Sequence, residues 1–146
     1  MTQSSTLATL RRLLLGVLMF GLVGTATELL LIGHDADAWQ LIPLVVLAIA
    51  ILACVGMVVT RFASATATRP FRAAMVLLML SGPMGSVLHY RANMEFKREM
   101  DPSLSGFALF SSVVTAQSPP ALAPGNMALL GLLGLACAFR LDVQNT

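Results

Sequence analysis

The stretch LIPLVVLAIAILACVGMVV, residues 41–59, carries no charge and, apart from one early proline, only apolar or small side chains. Coiled at 1.5 Å per residue it approaches the thickness of a bilayer's hydrocarbon core, roughly 30 Å. A helix apolar all the way round has no face to offer water, so the stretch reads as a membrane span. Pro43 then falls in the first helical turn, where a missing N–H costs nothing.

Comparable runs lie on both sides. Residues 13–32 are interrupted only by small residues and Glu28. Residues 73–90 are shorter and contain Ser81-Gly82-Pro83-Met84-Gly85, which predicts a kink at or before the proline. Residues 121–139 begin around Pro124-Gly125 and are rich in Gly and Ala. The expectation is an all-α polytopic membrane protein, one bundle domain over 1–146 with four transmembrane helices arranged as two hairpins. Composition agrees: 57% of residues are hydrophobic and 11% charged, with mean hydropathy +0.83, against about 25% charged in soluble domains. A water-soluble body is excluded, and the bilayer is the first partner.

The net charge of +2 arises from arginines beside the apolar runs, with no basic tract of the kind that binds nucleic acid. Under a four-span topology Arg11, Arg12, Arg61, Arg69, Arg72 and Arg140 share one side, and Arg91, Lys97 and Arg98 the other. Cytoplasmic loops carry the excess of Lys and Arg, so both termini are expected inside a cell (inner) membrane. Trp39 and Tyr90 then sit at the outer interface, as amphipathic rings do. A rival reading takes Arg11-Arg12, the following apolar run and Gly24-Thr25-Ala26 as a cleavable signal peptide, leaving three spans; the run's continuation to Ile32 favours a span.

Residues 91–120 are more than a loop. Arg91 to Met100 continues in helical register, with Arg91 and Glu95 spaced for an ion pair, and Asp101-Pro102 stops it. Leu104, Phe107, Phe110 and Val114 then recur at helical spacing opposite Ser105, Ser111, Ser112 and Thr115. This predicts a short re-entrant or interfacial helix packed on the bundle.

A shift of 61 positions aligns Gly21, Gly24, Thr25 and Glu28 with Gly82, Gly85, Ser86 and His89, and His34 with Glu95. Pro43 and Pro124 match at a shift of 81, as an insertion of about twenty residues would produce. Two parallel duplicated hairpins would give this pattern. The small residues also form faces through which helices approach closely. If the first and third faces meet, Glu28 and His89 arrive at similar depth as a structural polar pair, since an unpaired carboxylate there is costly.

Three uses of that cluster follow. The plainest is helix-to-helix glue. The second is a divalent metal site from Glu28, His34, His89 and Glu95, extended by Asp35, Asp37 or Glu99. The third is a haem held by His34 and His89. Cys54 and Cys137 form no CxxC pair and read as buried packing residues. No nucleophile with a base, phosphate loop or dinucleotide motif is present, which argues against an enzyme. The expected role is a non-catalytic accessory or scaffolding subunit that contacts a protein partner or a second copy. Its Gly131 and Gly134 offer a small face for association. The alternative is a metal- or haem-binding membrane protein.

Overall fold

Inside an apolar medium no backbone hydrogen bond can be left open, and each apolar run closes its own by coiling into helix. A computed structural model describes residues 3–34, 38–60, 65–116 and 122–139. Asp35, Asp37, Arg61 and Arg140, which entered the ligand and charge readings, and the first residue of the fourth run, residue 121, lie outside the described residues. Among the described residues there are five helices: α1 (Gln3–Leu31), α2 (Ala38–Val59), α3 (Ala65–Met100), α4 (Gly106–Val114) and α5 (Leu122–Cys137). All regular structure among the described residues is helical.

Three of these helices are long and apolar enough to cross a membrane, over Ser5–Leu31, Ala38–Val59 and Thr66–Met100, while Ala123–Cys137 is a shorter apolar helix. Their outer surfaces support the membrane reading directly. On α1, Leu15, Leu18, Leu22 and Leu29 are buried while Leu13, Val17 and Phe20 are exposed; on α2, Leu47, Ala50, Cys54 and Met57 are buried while Val45, Ile49 and Leu52 are exposed. A helix apolar on both its packed and open faces is suited to lipid.

α1 packs on α2 and α5, and α3 packs on the same two, so that α1 and α3 lie diagonally across a four-helix ring; α4 rests on α3. The contacts fix directions. Near one end, Arg11 and Arg72 reach the carbonyls of Phe139 and Ala138; farther along, Thr25 meets Asn126 and Gly82 lies against Pro124 and Ala128. α5 therefore runs antiparallel to both α1 and α3, which run parallel to each other.

The α3·α5 contact is the closest. A Cβ on Gly82 would come 2.5 Å from the Pro124 carbonyl oxygen, and one on Gly131 would come 2.5 Å from the backbone N of Met79. A Cβ on Gly134 would strike the Met75 side chain. Gly131 and Gly134 are thus spent on α3 within this chain, which corrects their assignment to association with another chain: only hydrogen at these positions lets the two backbones meet.

Three local features refine the expectations. α3 is one continuous helix through Pro70 and Pro83, so the proline at which a kink was expected does not end it. Around Pro83 the Ser81 hydroxyl donates to the Leu78 carbonyl at 2.7 Å, and Gly82 packs directly against Pro124 and Ala128 of α5. α2 begins at Ala38, so Pro43 falls beyond the first turn and not within it. On α4 the buried residues are Leu109 and Val113, while Phe107 is 82% exposed and Phe110 50%. Phe107 therefore faces away from the bundle, Phe110 keeps a ring contact with Tyr90 of α3, and the helix turns its aliphatic Leu109 and Val113 inward. The stop at Asp101-Pro102 stands as expected, with α3 ending at Met100.

Candidate functional site: a histidine pair over an apolar groove

α1 ends in a left-handed cap. Gly33 has φ +70°, its N–H donates to Leu30 O at 3.1 Å, and His34 N–H donates to Leu29 O at 2.9 Å. This pattern satisfies the last carbonyls of a helix and calls for glycine at the residue of positive φ. It also turns the chain sharply, so that His34 leaves the line of α1 and crosses toward α3. There its ring meets that of His89, with centroids 5.9 Å apart and planes tilted by 31°. The chain's only two histidines, far apart in sequence, are neighbours in space.

Beneath them lies a half-open groove of about 590 Å³ between α1, α2, α3 and α5. Its walls are mostly apolar, including Leu29, Trp39, Ile42, Met84, Leu88 and Met127, and its polar members are His34, His89, Gln40 and Ser81. Both prolines of the second and fourth runs, Pro43 and Pro124, line it as well. The groove exists because the core stops short: on α3 the buried series Phe71, Met75, Leu78 ends near Gly82, and Met84, Val87 and Leu88 beyond it are exposed.

The other expected residues distribute as follows. Thr25, only 3% exposed, accepts a 2.6 Å hydrogen bond from Asn126 Nδ2 of α5. Gly21 faces Leu130, also on α5, and Gly85 faces Pro124. Gly24 has open space where a Cβ would stand. Ser86 is half-buried. The small faces of α1 and α3 thus both turn to α5 and not to each other, since those helices are diagonal. With Thr25 beside Asn126 and Gly82 beside Pro124 and Ala128, Thr25 lies level with Gly82, about one turn from the alignment with Ser86. Glu28 accordingly sits roughly a turn below His89, is exposed and does not line the groove. Glu95 is exposed on the far part of α3. Among the described residues no three His, Cys, Asp or Glu side chains gather to hold a metal ion. Of the four ligands expected, the structure brings together His34 and His89. Trp39 is largely exposed at the start of α2, and Tyr90, half-buried, approaches Phe110 with ring centroids 6.2 Å apart.

Four residues have roles that were not read from the sequence. Gly33 carried a recognisable signal, a glycine directly after a long apolar helical run. Asn126 carried none, because its value depends on which helix faces it. Arg11 and Arg72 lie 61 positions apart, the same shift as the internal echo, yet only the structure brings both to the end of α5. Comparison with protein-family models, with curated proteins and with solved structures found no match, and the functional reading rests on the chain's own chemistry.

Proposed function

We propose that this is a non-catalytic, multi-pass protein of the cell (inner) membrane that binds an amphiphilic ligand in its histidine-capped groove and serves a larger membrane assembly as an accessory subunit. The observation that carries the reading is the meeting of His34 and His89 at the mouth of an apolar groove of ligand size. A few polar groups over a mostly apolar cavity suit a molecule with a polar head and an apolar body.

The membrane arrangement belongs to the same proposal. α5 forms the fourth crossing, supported by its antiparallel packing along both α1 and α3. Both termini are cytoplasmic, on the arginine distribution, which puts the groove toward the outer surface. α4 lies at that surface or re-enters the bilayer, and its exposed Phe107, Phe110 and Val114 offer a contact for a protein partner or second copy.

Native mass spectrometry of the protein released from lipid nanodiscs tests the groove. A bound small molecule at one per chain is expected in the wild type and absent in Ala92→Trp, which fills the groove from an exposed wall position. Equal adduct patterns in both proteins would sink the reading.

A further inference from the structure

The groove poses a question of ligand count. Two imidazoles are too few for a bare zinc, iron or manganese ion, which takes four or more donors, and among the described residues no third His, Cys, Asp or Glu joins them. A metal that arrives inside a macrocycle already has four equatorial nitrogens and asks the protein for two axial ligands only. The separation fits that demand. Two imidazoles bound to opposite sides of one metal hold their ring centroids about 6 Å apart, two metal–nitrogen bonds of about 2 Å plus the two ring radii, and His34 and His89 stand at 5.9 Å. The tilt between their planes is unconstrained by such bonding. The space fits too: a groove of about 590 Å³ walled by Trp39, Met84, Leu88 and Met127 suits a flat apolar ring, and its open side leaves an edge for ring carboxylates to reach the aqueous boundary.

The geometry points to haem as the ligand of this groove, held through its iron by the imidazoles of His34 and His89. This rests on the groove-binding reading and names its occupant. The backbone supports the role: the Gly33 cap fixes His34 from α1, and an unbroken α3 carries His89, so the two ligands come from separately anchored elements.

The test is titration of the full chain, in nanodiscs, with ferric haem. The expected result is saturation at one haem per chain, with the optical and electron-paramagnetic signature of a low-spin, six-coordinate iron. His34→Gln and His89→Gln should each lose that signature and weaken binding by roughly tenfold or more, while circular dichroism and gel filtration match the wild type. Because both side chains sit at the bundle's end, either variant is expected to fold; Glu28→Gln serves as the matched control and should keep the full spectrum. Haem that partitions equally into empty nanodiscs, or binds both Gln variants with an unchanged spectrum, overturns the proposal. A different amphiphile found by mass spectrometry, without the low-spin signature on titration, overturns haem and leaves the groove reading standing; no groove-dependent ligand by either method removes both.

Discussion

The two ends of the bundle are built on opposite plans. At the arginine end, Arg11 and Arg72 from two helices donate to the carbonyls just past the end of a third, at 3.0 and 2.7 Å, and Phe71, Thr68, Cys54 and Met57 are fully or almost fully buried. At the histidine end the core gives out, the imidazoles stand over open volume, and large apolar side chains such as Met84 and Leu88 remain exposed. The first arrangement closes the carbonyls of Ala138 and Phe139 on protein and surrounds them with a packed core. The second leaves both space and ligating groups in hand. The arginine end is tied and closed, whereas the histidine end leaves the kind of volume a site would need and a closed core cannot leave.

The contrast can be broken most severely at the glycine contact. Gly131→Ala forces a methyl group into the backbone of α3 and is expected to destabilise the bundle by about 3 kcal/mol in detergent unfolding, near the upper end of overpacking penalties. Gly24→Ala, entering open space, should leave stability unchanged or raise it by roughly 0.5–1 kcal/mol through helix propensity. Equal effects at both sites would contradict the packing described.

Next comes the arginine tie. Replacing Arg11 and Arg72 together by Ala removes two donors and two positive charges from the C-terminal end of α5, with an expected loss of about 1–2 kcal/mol. Amide exchange in the last turn of α5 should accelerate while the Gly33 cap is unaffected. At the histidine end, Gly33→Ala strains a left-handed residue by roughly 1 kcal/mol. Its consequence for function should exceed its consequence for stability: His34 loses its fixed approach, and ligand retention falls while global unfolding barely moves. A mutant that loses stability without losing ligand would separate the cap from the site.

The smallest effect concerns the turn after α3. The Asp101 carboxylate accepts hydrogen bonds from the Ser103 hydroxyl at 2.6 Å and the Ser103 N–H at 3.0 Å, and these hold its pKa below the ordinary 3.8. A lowered folded pKa means the turn's contribution is complete above the ordinary carboxylate value and is lost as pH falls through the folded one. Carboxyl-carbon NMR titration should give a midpoint below 3.8 in the wild type, moving upward in Ser103→Ala as the larger of the two causes is removed.

How much was legible beforehand differs by residue. The apolar run at 41–59 declared its own environment, because nineteen residues that coil into a helix without a polar face have few other homes. The end of α3 at Asp101-Pro102 was also readable, since proline restricts the residue before it. Pro83 was less readable: the proline rule flags a disturbance in the third run but does not say whether the helix goes on through it, and here it continues to Met100. On α4, periodicity identified an apolar stripe and a hydroxyl stripe but not which neighbour each meets, and the buried pair is Leu109 and Val113.

The site shows the same division. The sequence by itself determined that this chain is a bundle of apolar helices and that its scarce ionisable groups, Glu28, His34, His89 and Glu95 among them, were the residues to watch, because local composition and spacing act within a helix or two. Only the tertiary structure decided that His89 meets His34 and lies a turn above Glu28. That outcome depends on the diagonal placement of α1 and α3, on their relative depth against α5, and on the left-handed turn at Gly33, and relations between helices distant in sequence leave no periodicity along the chain from which they could be read.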